Sequence, residues 1–185
     1  MLAIGGQALL SYENSPGTVA SVPKSWPADS RIARAPDRDT LVMLAHPLCP
    51  CTQASMSELA RVMAQTQGRL NASVVFFQPQ GAGLDWHDTS LIRAASQIPG
   101  VKVVLDVDGT EAQRFGAETS GHTLLFDSQG HLLFSGGITA SRGHEGDNLG
   151  ENTIVALINN RAASGRSTSV FGCSLAGSKG KACRH

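Results

Sequence analysis

The sequence predicts an α/β domain: a central mixed β-sheet flanked by helices, in the order β-α-β-α-β-α-β-β-α. Three observations carry that expectation. Short, continuous apolar runs alternate with segments whose apolar residues recur at helical spacing, the pattern of strands covered on both faces by helices. Two later apolar runs flank a short polar turn, and a last helical segment follows them. At 185 residues the chain suits one domain with its own core.

Leu41 to Ala45 is the first strand. Past the cysteines, Met56, Leu59, Ala60 and Met63 stand at i, i+3, i+4 and i+7, the stripe of a helix packed on a sheet, so both methionines read as core. Ala72 to Phe77 is a second, fully covered strand. Asp88 or Thr89 caps a helix carrying Leu91, Ile92 and Ala95, closed by Pro99-Gly100. Val101 to Val107 is a third strand, and Asp108-Gly109-Thr110-Glu111 has capping-box spacing for a short helix ending at Phe115-Gly116. His122 to Asp127 and Leu132 to Phe134 flank Ser128-Gln129-Gly130 and predict a hairpin. Asn148 to Glu151 is a second capping box, opening a helix with Ile154, Leu157 and Ile158 on one face.

The ends divide from this domain by composition. Residues 1–38 form an arm in which Pro16, Pro23, Pro27 and Pro36 deny regular structure, with Trp26 as the side chain able to pin it. Its first ten residues are apolar but too short to span a bilayer, and no Lys or Arg precedes them. They read either as the remnant of a membrane anchor starting outside this chain or as a disordered or surface-packed terminus. Residues 39–161 are the domain, and 162–185 read as a flexible tail rich in Ser, Gly and Lys.

Lys+Arg and Asp+Glu are both 15, which leaves no basic face for nucleic acid. Four cysteines stand at 49, 51, 173 and 183, neither a disulfide framework nor a paired C-x-x-C zinc pattern. Cys49 and Cys51 flank Pro50 at a strand-to-helix junction. The unsatisfied N–H groups of a helix start favour a thiolate there, so Cys49 is the candidate nucleophile and Cys51 its resolving partner. A disulfide between residues i and i+2 is strained and oxidising.

From Thr40 to Leu59, across His46-Pro47-Leu48-Cys49-Pro50-Cys51-Thr52, the sequence resembles, without a gap, the strand, Trp-Cys-Pro-Pro-Cys turn and helix of TlpA-like proteins of the thioredoxin-like superfamily, the RedB-like branch above all. The resemblance covers about residues 38–160 and implies a thioredoxin-like fold and a thiol–disulfide oxidoreductase of the periplasm or cell envelope. It implies protein thiols or disulfides as partners, no required cofactor, and a membrane tether. Cys49 falls on the family nucleophile, but the second family cysteine falls on Thr52, so the motif here is C-x-C.

On that register Gly121 holds the place of a cis-proline that shields the disulfide, which implies open space over the sulfurs. His122 then heads a strand beginning at the same rim as Cys49. A histidine there is also similar in place to Sco-type copper chaperones, and the alternative function is a carrier of Cu(I) or Zn(II) with Cys49, Cys51 and His122 as ligands. A peroxidase of the peroxiredoxin type is disfavoured, because Val42 and Ala45 or His46 stand where that pattern wants Pro and Thr.

The connection from Ser135 to Asn148 is long and glycine-rich, as shaped functional loops are, and its Arg142 or His144 can hold a thiolate or an acidic group. The alternative is a solvated loop. Cys173 lies far enough past the last helix to fold back and resolve a mixed disulfide, or it is a free tail thiol. His46, Pro50 and Thr52 complete the set of supporting residues.

Overall fold

The computed structural model describes residues 11–18, 21–163 and 165–175. Five strands, β1 (Asp39–Ala45), β2 (Leu70–Gln78), β3 (Val101–Val107), β4 (His122–Phe126) and β5 (Leu132–Gly136), form one sheet in the order β3-β2-β1-β4-β5. β1 runs parallel to β2 and β2 to β3, whereas β4 is antiparallel to both β1 and β5. The helices are α1 (Thr52–Thr66), α2 (Ser90–Gln97), α3 (Thr110–Arg114) and α4 (Leu149–Ile158). This is the expected order, and β1 lies at the centre of the sheet, so the turn that follows it is held by neighbours on both sides.

Successive residues of a strand point to opposite faces, and β1 shows what each face meets. Leu41, Met43 and Ala45 pack with Met56, Leu59, Val62 and Met63 of α1 and with Ile154 and Ile158 of α4; Val42 and Leu44 pack on the other side with Phe115, Leu124 and Phe126. Both α1 methionines are core, as their spacing predicts. Trp26 pins the arm as expected, its ring edge-on to Phe115 and Phe126 at 5.2 Å each and its backbone N–H donating to the Gly130 carbonyl at 2.7 Å.

Caps follow the sequence in two helices and depart from it in a third. The Thr89 hydroxyl accepts from the N–H of Ile92, and Asn148 Oδ1 from that of Glu151, at 3.2 and 2.8 Å. At α3 the expected box does not form: Gly109 is the capping residue and makes no side-chain bond, while Asp106 on β3 accepts from the N–H groups of Glu111 and Ala112. The buried carboxylate at the strand end does the work assigned to Asp108, whose backbone turns at φ 56°.

The larger departure is the tail. Residues 166–175 are laid against the domain: Val170 and Leu175 are buried, and the backbone bonds Ser135 of β5, Gly137 just past that strand, and the 118–120 stretch ahead of β4. The Ser- and Gly-rich composition that reads as a flexible tail conceals these two apolar anchors, each of which removes a side chain from water. The apolar residues 1–10 and Cys183 lie outside the described residues. Among the described residues no helix is long and apolar enough to cross a membrane.

Candidate active site at the Cys49 turn

β1 ends at Ala45, and the chain turns through His46 to Cys51 into α1. Two bonds shape that turn: the N–H of Cys49 donates to the His46 carbonyl and that of Thr52 to the Cys49 carbonyl, both at 3.1 Å. His46 Nδ1 accepts from the N–H of Leu48 at 3.2 Å, and its ring is stacked on Phe77 and edge-on to Trp86. Burial pushes the imidazole below its usual range, with the Cys49 thiolate opposing. His46 is therefore a neutral wedge that sets the turn. Pro47 is buried behind it, and Pro50 is exposed.

Cys49 and Cys51 are free thiols, and Cys49 is fully buried. The Cys51 thiol donates to Cys49 and is the largest influence on it; burial opposes ionisation, and the Thr52 hydroxyl and the N–H groups of Cys173 and Thr52 add further bonds. Together they bring Cys49 down to about 5. Cys51 is pushed up, first by the bond it gives to Cys49 and then by burial, and Arg142 beside it works the other way. The pair is thus split into one thiolate and one thiol.

Ser120, which sequence reasoning passed over, ties the site together. Its Oγ accepts from the N–H of His46 at 2.8 Å and shares a hydrogen bond with Thr52 Oγ1 at 2.7 Å, so one buried hydroxyl links the turn, the start of α1 and the approach to β4. A serine among small residues carries no pattern of its own. Its position next to Gly121, in the register above, was the available signal.

Gly121 does not open space over the sulfurs. Its φ is +88°, its N–H donates to the Leu44 carbonyl at 2.8 Å, and a Cβ there would meet Ser55 Oγ at 3.1 Å and the Phe171 carbonyl at 3.9 Å. Ser55 of α1 is the nearest neighbour of that place, with the Phe171 carbonyl of the tail at ordinary contact distance. A proline at 121 would need φ near −65° and would lose that bond.

His122 is fully buried with Nε2 2.8 Å from Ser135 Oγ, and its Nδ1 has no hydrogen-bond partner among the described residues. Burial holds it down to about 4. Among the described residues no group of three or more His, Cys, Asp or Glu side chains converges as a metal site, so Cys49, Cys51 and His122 are not brought together as a ligand set. The ring is committed to Ser135 on β5 instead.

The loop after β5 divides the same way. Arg142 reaches the site, donating from Nη1 to the Gly172 carbonyl at 2.5 Å and from Nε to the Tyr12 carbonyl at 3.1 Å. His144 is exposed. Cys173 is the tail residue that folds back: its Sγ stands 3.0 Å from Cys49 Sγ. Beside the turn opens a groove of about 600 Å³, lined by Pro47, Leu48, Cys49, Pro50, Gln53 and the start of α2 at Thr89 to Leu91.

Comparison with solved structures finds the same fold in proteins of distant sequence. No family model matches the chain, and no curated protein matches it. Among solved structures, a hypothetical protein of Sinorhizobium meliloti 1021 superposes with a TM-score of 0.63 at 16% identity, over 90% of this chain and 96% of that one. An uncharacterized conserved protein of Geobacillus kaustophilus does so with a TM-score of 0.63 at 16% identity, over 91% and 95%. The thioredoxin domain of a thiol-disulfide oxidoreductase from Bacteroides vulgatus follows at 0.46 and 15%, over 78% and 99%. With a parallel half, an antiparallel hairpin, a final helix and two thiols at the central strand-to-helix turn, the chain has a thioredoxin-like fold.

Proposed function

We propose that the chain is a thiol–disulfide oxidoreductase of the bacterial cell envelope that acts on protein thiols or disulfides. The observation that carries this reading is the split pair: a Cys49 thiolate at the junction, held by the Cys51 thiol, with Arg142 hydrogen-bonded to Cys51. The Cys49 thiolate attacks one sulfur of a substrate disulfide, and the other sulfur leaves as a thiolate. Cys51 then gives up its proton and attacks Cys49 Sγ; the second substrate thiolate leaves, and Cys49–Cys51 is the oxidised product. Arg142 is the cation positioned to stabilise Cys51 as it ionises. Dithiols of a partner protein reset the pair by the reverse exchange.

The test is reduction of a mixed disulfide between glutathione and a peptide cysteine, with a dithiol as the final reductant. Turnover lost in Cys49→Ser supports the reading, and turnover unchanged by that substitution overturns it.

A further inference from the structure

Cys51 stands at the start of α1 and Glu58 two turns further along it, a rise of about 10 Å. The loop from Arg142 to Asn148 runs back over that interval. Its Arg142 is hydrogen-bonded to Cys51, its Glu145 carboxylate accepts from the Ser57 hydroxyl at 2.9 Å, and its Gly146 N–H donates to Glu58 Oε1 at 2.7 Å. The stretch from Arg142 to Gly146 reaches about 13 Å at full extension. A turn in which His144 N–H donates to the Ser141 carbonyl at 3.4 Å uses part of that reach, so little slack is left. Packing does not hold these residues: Gly143 and Gly146 have φ of +67° and +129°, and a Cβ on either would meet nothing within 4 Å. Hydrogen bonds hold them instead, and the Glu58 carboxylate, 0% exposed and bonded through both oxygens to Arg61 at 3.0 Å, is the acceptor that water does not reach.

We propose that Glu58 is a positioning residue, its carboxylate anchoring the 142–148 loop so that Arg142 stands at Cys51 when Cys51 resolves a mixed disulfide. This rests on the oxidoreductase reading above. Once Cys49 has entered a mixed disulfide its negative charge is gone, and the Cys51 thiol has no thiolate left to hold its proton. Cys51 gives that proton to solvent and attacks Cys49 Sγ; the Cys49–Cys51 bond forms, and the substrate sulfur leaves as a thiolate with the electron pair of the broken bond. Arg142 bonds the sulfur that ionises in this step, so Glu58 acts on the second exchange and not on the first. The Tyr12 ring and carbonyl hold the guanidinium from the arm and the Gly172 carbonyl holds it from the tail, while Glu58 ties its loop to the helix that carries Cys51.

The test follows the full chain reacting with dithiobis-nitrobenzoate, an aromatic disulfide. Attack by Cys49 releases one thionitrobenzoate and attack by Cys51 releases the second, so the two exchanges are two phases of one absorbance trace. Glu58→Ala should slow the second phase by about tenfold, the equivalent of one pKa unit at Cys51, and leave the first within about twofold. Glu58→Leu takes its place if the alanine chain does not fold. Arg142→Gln should slow the second phase alike, and adding Glu58→Ala to it should cost nothing more, because Glu58 acts only through that guanidinium. Glu58→Gln, which keeps an acceptor for the Gly146 N–H, should recover most of the rate. Equal slowing of both phases, or additive losses in the double variant, overturns the proposal. If the wild-type chain shows both phases and Glu58→Ala matches it, the positioning role falls and the oxidoreductase reading stands. A wild-type chain without a second phase overturns both.

Discussion

At Cys49 the balance of forces is decided by hydrogen bonds, since burial alone would raise a thiol. The rate of alkylation at Cys49 should therefore rise with pH through an inflection near 5, far below that of an ordinary cysteine. Thr52→Val removes one of those bonds and breaks the link to Ser120. A hydrogen bond to a charged group is worth about 1.5–3 kcal/mol, so the inflection should move up by about 1–2 pH units; no movement would remove the hydroxyl from the account. The same stabilised thiolate favours the reduced form, and the Cys49–Cys51 couple should lie above the thioredoxin value of about −270 mV, read in glutathione buffers by intact mass. His122 is the opposite case, a buried base without a charge to meet it. Its folded value is depressed, so the unfolded chain binds the proton more readily between pH 6.5 and about 4, and stability falls as pH is lowered through that window. The loss approaches about 3 kcal/mol, and urea melts of His122→Asn should lack it.

Between elements, α1 and α4 meet through a buried pair of acids. Glu58 accepts from Arg61 and from the N–H of Gly146, while Glu151 accepts from Gln65 and sits under the Asn148 cap. Burial first, and then Glu58, push Glu151 up to about 7. A raised acid stabilises the fold fully below its unfolded value of 4.5 and loses that contribution as pH rises through 7. Its slope opposes that of His122 over nearly the same window. The wild-type chain should therefore lose only about 1–2 kcal/mol on acidification through that window, whereas Glu151→Gln should gain about 1–2 kcal/mol at pH 8 and unmask the full histidine slope. A parallel loss in both variants on acidification would show that the two groups are not the ones titrating.

Across the molecule, the tail couples stability to access. Val170 and Leu175 are each worth about 1.5–3 kcal/mol of burial, so ending the chain after Gly165 should cost about 3 kcal/mol or more in chemical denaturation. It should also speed alkylation of Cys49 by more than about tenfold, since each 1.4 kcal/mol removed from an opening step is a factor of ten. Slow alkylation in the shortened chain would mean that the turn itself, and not the tail, covers the sulfur.

Periodicity and capping residues sufficed for the sheet, its helices and the place of the Cys49 turn, because strands and amphipathic helices are written in local spacing that one buried face enforces. Trp26 was legible for the same reason: a large aromatic in a polar arm has few places to go. The site beyond the turn was not local. That Ser120 would be its hub, that His122 would turn to Ser135 and not to the sulfurs, and that Gly121 would lie against Ser55 and the tail all depend on segments far apart in the chain meeting at one rim. Cys173 shows the division most clearly. Its spacing allowed it to reach Cys49, but only the packing of Val170 and Leu175, two apolar residues in a segment whose composition reads as unstructured, places its sulfur there.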